Sequence, residues 1–159
     1  MSKNNVVELA GREKIRDELT DLIRAGACKL IAQGLELEVS ELLSTMSARQ
    51  DELGRAAVVR NGYQPARDIQ TGIGPVTVKV PQIRSRDGKP VSFHSSLVPP
   101  YVRKSASLEA ALPWLYLKGI STGEMQPALE VLLGSQAKGL SASTVSRLKQ
   151  TWRADYEAW

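Results

Sequence analysis

The stretch that most constrains the fold reads ARDIQTGIGPVTVKVP and runs from residue 66 to 81. Val76, Val78 and Val80 alternate with polar residues, which is typical of a strand with one buried face. ARDIQT is a second candidate strand, and GIGP between the two supplies turn residues, so the stretch predicts a β-hairpin. Pro81 either ends the second strand or places it at an edge. A lone hairpin is marginally stable in water, so this one must pack on flanking helices or on a binding partner.

Helical periodicity precedes the hairpin. Residues 12–33 predict one amphipathic helix, with Gly34 as its C-terminal cap, and residues 36–47 predict a second. Two such helices joined by a short link predict an N-terminal helical hairpin, interpreted as either a folding module or a dimerisation arm. The apolar positions that define the two helices are Ile15, Leu19, Leu22, Ile23, Leu30 and Ile31, then Val39, Leu42, Leu43 and Met46.

Helical patterns return after residue 105. SASLEAALPWLYLKG predicts a helix that Pro113 should kink or split, because the proline ring clashes with the preceding turn. STGE then fits a capping box with Ser121 as the cap of a second helix. A last helix is predicted to begin near Ser141 or Ser143 and to run to the end of the chain. This order is that of a helix-turn-helix, whose last helix enters the major groove of DNA.

Together these patterns predict a mainly α fold with a small β-hairpin. Three segments are expected: a helical N-terminal module over 1–53, a basic β-hairpin and loop segment over 54–104, and a helix-turn-helix-like unit of three helices over 105–159. Charge supports this division, since residues 55–104 carry nine basic and two acidic groups while the flanking segments are acidic or balanced. Such a basic island permits a polyanionic partner.

Several classes of protein are excluded by composition. Cys28 is the only cysteine and His94 the only histidine, so neither an internal disulfide nor a conventional zinc finger is possible. A reduced cytoplasm is the default compartment. No apolar run approaches membrane-spanning length, and TGIGP lacks the Gly-Lys-Ser ending of a phosphate loop. The residues indicate no cofactor or metal site.

The last helix has two distinct sides. At about 100° per residue, a stripe headed by Val145 also contains Leu148, Trp152, Tyr156 and Trp159, and this stripe is predicted to face the core. The remaining surface is polar and basic and is the candidate DNA-reading face. Its members are Ser143, Arg147 and Gln150 opposite the stripe, Ser146 beside them, Thr144 on the other flank and Lys149 at the side.

The chemistry of this polar face suits DNA. Arg pairs with guanine edges, Gln with adenine, and Ser or Thr with phosphates or bases. The free N–H groups of the first helical turn favour phosphate. An ordinary solvated helix face remains the alternative, because such faces carry the same residue types. Further candidates for phosphate contact, which could equally be solvated, are Arg84, Arg86, Lys89, Arg103 and Lys104.

Three motifs in one order resemble a known family. They are RNGYQPARDIQTGIGPVTVKVPQIRSRDG, SSLVPPYVRKSASLEAALPWLYLKGISTGEM and KGLSASTVSRLKQTW. Over residues 50–159 the chain resembles the N-terminal part of Mutator-type transposases of bacterial insertion sequences. The resemblance implies DNA cutting and joining by Asp, Asp and Glu on a ribonuclease-H-like domain that holds Mg²⁺. The first of these carboxylates follows the segment resembling WRADYEAW, so no catalytic role is assigned to Asp155 or Glu157.

What the resemblance implies for this chain is end recognition without chemistry. The expected partner is double-stranded DNA at the terminal inverted repeats, in the bacterial cytoplasm and associated with the nucleoid. A homo-oligomer, or association with full-length transposase, is a further expectation. The chain could be a truncated or frameshifted copy, or one piece of a split reading frame. Two alternatives stay open: a small helix-turn-helix regulator, and a dominant-negative fragment that titrates the full-length transposase.

Overall fold

A computed structural model describes residues 18–138 and 141–159 of the chain. Helices predominate over two short antiparallel strand pairs, so the predicted fold class, mainly α with a small β part, is confirmed. In chain order the elements are α1 Glu18–Thr45, β1 Val58–Tyr63, β2 Arg67–Thr71, β3 Gly74–Val78, β4 Pro81–Ser85, α2 Ala106–Leu117, α3 Met125–Leu133 and α4 Ala142–Ala158.

The predicted hairpin is the β2–β3 pair. Its register runs from Arg67 opposite Val78 to Thr71 opposite Gly74. Val76 and Val78 are buried while Thr77 between them is exposed, as the alternation predicts. The hairpin packs on α1. The flanking helix therefore supplies the support that an isolated hairpin needs.

A second strand pair was not predicted. β1 and β4 are antiparallel, from Val58 opposite Ser85 to Tyr63 opposite Pro81. The composition of RSRDGKP, residues 84–90, predicts a polar turn, which is wrong for Arg84 and Ser85 because both lie in β4. Pro81 begins this strand, a position where its missing N–H removes no ladder bond. The sequence pattern does not predict this pair, because β1 reads VVRNGY and its apolar and polar residues do not alternate.

The predicted N-terminal helical hairpin is wrong. α1 is one continuous helix of 28 residues, and Gly34 lies inside it rather than at its end. A glycine in a helix interior costs about 1 kcal/mol, which tertiary packing outweighs here. The packing comes from Leu35 and Val39, each 1% exposed, which are the buried residues of α1. Residues 12–17 of the predicted first helix lie outside the described residues.

The three C-terminal helices pack around one apolar cluster, as the predicted three-helix unit requires. Pro113 does not split α2, which continues to Leu117, whereas the kink stays a prediction. The prediction that Ser121 caps α3 is wrong: Glu124 is the N-cap, without a side-chain cap bond, and Ser121 Oγ accepts the N–H of Glu124 at 3.3 Å in the turn before the helix. α4 begins after Ser141, as predicted. The buried members of the cluster are Leu108, Leu112, Met125, Leu129, Ala137 and Val145.

A second apolar cluster joins α1, the β2–β3 hairpin and the loop before α2. Its buried members are Leu35, Ile69, Val76, Val78, Val80 and Val98. In the part of the chain that the structure describes, none of the helices combines the length and apolar character needed to cross a membrane.

Candidate nucleic-acid interface

Helix α4 separates a buried stripe from an exposed polar face. Val145 is 1% exposed, and Leu148 and Trp152 pack half-buried on the same cluster. The helix begins at Ser141, whose Oγ accepts the N–H of Thr144 at 3.4 Å. The three predicted contacts opposite the stripe, and Ser146 beside them, are exposed: Ser143, Arg147, Gln150 and Ser146.

The buried stripe is shorter than its periodicity predicts. Tyr156 is 77% exposed and Trp159 is fully exposed, so the prediction that they face the core is wrong. The side chains packed against α2 and α3 end at Trp152. The last turns of α4 extend past the helices that would cover them, so the apolar spacing continues without a packing partner among the described residues.

Two of the predicted contacts on α4 are held by neighbouring groups. Thr144 is half-buried, with its Oγ1 3.0 Å from Ser141 Oγ. Lys149 Nζ lies 4.4 Å from the centroid of the Tyr116 ring on α2, a cation–π contact. Lys149 is thereby directed to the side of α4 that faces α2, at the flank of the exposed face.

The β2–β3 hairpin positions a basic pair at the start of α2. Gln70 N–H donates to the carbonyl of Arg103, and Ser105 N–H donates to the carbonyl of Gln70, each at 2.8 Å. Ser105 is the N-cap of α2 and accepts the N–H of Leu108 at 3.3 Å. Arg103 and Lys104 therefore directly precede a helix N-terminus, where free N–H groups favour anions.

The same glutamine connects the hairpin to the segment that leads into α4. Gln70 Nε2 donates to the carbonyl of Gln136 at 3.3 Å, and Lys104 and Lys138 both line a cavity of about 10 Å³ beside it. The basic pair thus lies next to the α3–α4 connection. Lys138, four residues before the start of α4, is exposed and was missed by sequence reasoning, although a cation so close to a candidate DNA-reading helix is a usable signal.

A second basic group lies on a different part of the molecule. Arg84 is on β4, which packs on β1 and α1, whereas α4 packs on α3. Arg86 N–H donates to the carbonyl of Ala57 at 2.7 Å, and the carbonyl of Lys89 accepts from Arg49 at 3.1 Å. The side chains of Arg84, Arg86 and Lys89 are exposed. The structure therefore separates them from the candidate face of α4.

Asp87, the acidic residue inside this second group, is neutralised locally. Arg49 donates from Nε and Nη2 to the two carboxylate oxygens of Asp87, both at 2.6 Å. These bonds, together with the Ser85 hydroxyl and the Lys89 N–H, hold the pKa of Asp87 well below its usual range. The carboxylate is already paired, so it weakens the positive field of Arg84, Arg86 and Lys89 only slightly.

The arginines that form ion pairs are not those predicted to contact DNA. Across residues 18–138 and 141–159 they are formed by Arg24, Arg49, Arg55, Arg60 and Arg153. The seven cations predicted to contact DNA therefore have no carboxylate partner within the described ranges. They are Arg84, Arg86, Lys89, Arg103, Lys104, Arg147 and Lys149.

One exposed aromatic residue was also missed. Tyr101 is 92% exposed and has a φ of 66°, a left-handed conformation that is uncommon outside glycine. It lies two residues before Arg103 and borders a groove of about 450 Å³ that Gln82 and His94 also line. Aromatic side chains beside cations offer a stacking surface for bases. The signal in the sequence is PPYVRK, in which a single valine separates the tyrosine from the basic pair.

Comparison with known proteins decides the family. Residues 2–159 match the protein family described as Transposase, Mutator family. The chain belongs to the Mutator family. The resemblance inferred from the three sequence motifs is thereby confirmed.

Curated transposases of insertion sequence elements are similar to this chain, two of them over most of its length. The transposase of insertion sequence element IS1201 from Lactobacillus helveticus is 27% identical over 132 residues, which is 83% of this chain and 34% of that protein. The transposase of IS406 from Burkholderia multivorans is 29% identical over 130 residues, 82% of this chain and 31% of that protein. The transposase of IS6120 from Mycolicibacterium smegmatis is 48% identical over 52 residues. The chain spans about a third of the length of the first two.

The metal site implied for Mutator transposases does not fit the described residues. No three Asp, Glu, His or Cys side chains in this part of the chain come together as a metal site requires. Asp155 and Glu157 lie on α4, as the sequence predicts, and Glu157 accepts a hydrogen bond from Arg153 at 2.8 Å. No step of DNA chemistry is therefore assigned to them.

Proposed function

We propose that this Mutator-family chain supplies the DNA recognition of a transposase and binds double-stranded DNA at the terminal inverted repeats of its element. The observation that carries the proposal is the exposed face of α4, where Ser143, Arg147 and Gln150 lie on the side opposite the buried Val145 and Ser146 lies beside them. The first turn of α4 contains no acidic residue. Such a face can enter a major groove without repelling the phosphates.

Direct readout of sequence would come from two side chains on this face. Arg147 can pair with guanine O6 and N7, and Gln150 with adenine N6 and N7. They are three residues apart, so they project from the same side of the helix. From Ser143 to Gln150 the face extends about 10 Å along the helix axis, enough for roughly three base pairs at about 3.4 Å each.

Contacts to the DNA phosphates would fix the position of α4 along the duplex. Arg103 and Lys104 lie at the N-terminus of α2 beside the α3–α4 connection, close to the helix that reads the bases. Arg84, Arg86 and Lys89 are on a separate part of the fold, so they would contact the backbone elsewhere along the duplex. None of these cations pairs with a carboxylate in the described residues, which leaves their charge available to DNA.

The proposal is carried by the face of α4 rather than by an ideal helix-turn-helix. α3 ends at Leu133 and α4 begins at Ala142, so the connection exceeds the three- or four-residue turn of that motif. DNA recognition here requires α4 to protrude. It does not require the standard angle between α3 and α4.

Partners and cellular location follow from the same proposal. A chain that binds element ends acts in the bacterial cytoplasm, on nucleoid DNA, together with further copies of itself or with full-length transposase. The apolar side chains exposed along α1, such as Leu19 and Leu30, favour an additional role as an interaction fragment that titrates full-length transposase. A promoter-binding regulator would use the same α4 face.

The test is an equilibrium titration of the full chain with a duplex carrying the terminal inverted repeat and with a scrambled duplex of equal length. We expect tighter binding to the repeat, and affinity that falls linearly on a log–log plot against salt as counterions are released. Equal affinity for both duplexes would refute sequence-specific recognition. Footprinting over the whole element is the second measurement, and protection of a promoter away from the ends would favour the regulator.

A further inference from the structure

Helix α1 has two apolar sides, and only one of them is covered in the described structure. Leu35 is 1% exposed and packs on the strands, together with Ile31 and Cys28. The other side carries large apolar side chains in solvent: Leu19, Ile23, Leu30 and Leu37 are 66%, 47%, 69% and 72% exposed. At about 100° per residue, these four lie within about 40° of one another and roughly 120–160° from Leu35.

The exposed side has the spacing of a coiled-coil seam. Adding the exposed Gly26 and Gln33 gives positions 19, 23, 26, 30, 33 and 37, whose separations alternate between four and three. Apolar residues at this spacing insert into holes on a facing helix. We define these six positions as the α1 seam. It extends about 27 Å along the helix.

The seam is complementary to itself when reversed. Its spacing reads the same from either end, with residue 28 at the centre. In an antiparallel pair, Leu19 of one copy lies opposite Leu37 of the other, Ile23 opposite Gln33, and Gly26 opposite Leu30. The largest gap, at Gly26, is therefore filled by the largest side chain type present, which is the arrangement that close packing requires.

We propose that the α1 seam is a homotypic interface through which two copies of this chain pair in antiparallel orientation. The interface is isologous, so one two-fold axis passes beside residue 28 and the assembly closes as a dimer. A parallel pair is less favourable. It would place Gly26 against Gly26 and Gln33 against Gln33, and bring Glu36 close to the partner's Glu41 along the seam margin.

The exposed apolar surface is large enough for a weak to moderate dimer. Leu97, 57% exposed, lies against Gly34 at the margin of the seam and adds to the four large seam residues. Burying one such side chain removes roughly 60–120 Å² from water. Ten side chains from two copies remove about 600–1,200 Å², near the roughly 1,000 Å² of a specific interface.

The charge of Lys29 opposes the proposed pairing and makes the stability of the dimer depend on salt. Lys29 is exposed at the seam margin, and in the antiparallel arrangement it meets Lys29 of the second copy beside the two-fold axis. Salt screens this repulsion while leaving apolar burial intact. We therefore expect the dimer to tighten modestly with added salt, and Lys29→Ala to tighten it at low salt.

Sedimentation equilibrium of the full chain without DNA is the first test, so that its outcome is independent of the proposed DNA binding. We expect a concentration-dependent dimer that Leu30→Glu weakens at least tenfold. The matched control is Leu132→Glu on α3, which is 65% exposed and outside the seam, and it should leave the dimer unchanged. A chain that stays monomeric at every concentration, because another segment or partner covers the seam, overturns the proposal. So does a dimer insensitive to Leu30→Glu in a chain of unchanged helicity.

Cysteine cross-linking fixes the orientation. Antiparallel pairing predicts that the double variant Leu19→Cys with Leu37→Cys oxidises to a covalent dimer, while each single variant remains monomeric on denaturing gels. Native Cys28 is half-buried on the opposite side of α1 and serves as the internal control. Efficient cross-linking of either single variant would indicate a parallel pair and overturn the proposal.

Discussion

The side chain of Leu97 lies directly over Gly34, where an added Cβ would be 2.5 Å from Leu97 Cδ1. Gly34 therefore serves close packing between α1 and the loop before α2. It does not end a helix. Glu38, one helical turn further on, holds the same loop: its carboxylate accepts the Ser95 hydroxyl at 2.5 Å and the Ser96 N–H at 3.0 Å.

Substituting alanine for Gly34 and for Gly119 compares a glycine inside a helix with a glycine that follows the end of one. Gly34→Ala gains about 1 kcal/mol of helix propensity and must displace the tip of the half-exposed Leu97, so its stability should stay within about 0.5 kcal/mol of wild type. Gly119 follows α2 with a φ of 96°, so Gly119→Ala should lower stability by about 1–2 kcal/mol. Urea denaturation measures both. A large loss in Gly34→Ala would show that Leu97 cannot move.

Stability should fall in acid because of Glu38. Burial acts to raise the pKa of Glu38, but hydrogen bonds from Ser95, Ser96 and the Leu97 N–H outweigh it and lower that pKa below its ordinary value of 4.5. A lowered folded-state pKa contributes stability above the unfolded-state value, and this contribution is lost as pH falls through the folded-state value.

Thermal melting between pH 7 and pH 3 measures this effect. We expect the wild-type melting temperature to decline below about pH 4.5. Glu38→Gln should be less stable at neutral pH and decline less steeply, because its side chain does not titrate. Parallel curves for the two proteins would assign the acid sensitivity to other carboxylates, such as Glu36 beside Arg60.

Two substitutions distinguish base reading from phosphate contact. Arg147→Ala should reduce the preference for repeat over scrambled DNA by about 1–3 kcal/mol, because a bidentate base contact is lost. Lys104→Ala should weaken binding to both duplexes alike and lower the slope of log affinity against log salt by about 1. Salt-dependent titrations on both duplexes measure these effects. An unchanged preference in Arg147→Ala would remove Arg147 from the reading face.

Two residues of the predicted α4 stripe should differ sharply in their contribution to stability. Val145 is 1% exposed among α2 and α3, so Val145→Ala should destabilise by about 1–3 kcal/mol. Tyr156 is 77% exposed, so Tyr156→Ala should change stability by less than about 0.5 kcal/mol. Differential denaturation of the two variants checks this. A large loss of stability in Tyr156→Ala would show that Tyr156 packs on the core, as the helical spacing predicts.

Local sequence signals by themselves determined the β2–β3 hairpin, the start of α4 after Ser141 and the polar face of α4. Each depends on periodicity or on a residue whose backbone or side chain acts within a few positions, such as Ser141 at the start of α4. The three motifs by themselves also indicate the Mutator family. Such features are encoded locally, so the sequence is sufficient to recognise them.

Only the tertiary structure decided which apolar residues are buried. It kept α1 continuous through Gly34, because Leu35 packs on the strands and Val39 is also buried, and it left Leu19 and Leu30 in solvent. It paired β1 with β4 and placed Arg84 away from α4. Apolar side chains at helical spacing indicate only that one face of the helix is apolar. Burial of that face depends on partners that are distant in sequence, and their positions follow from the packing of the whole chain.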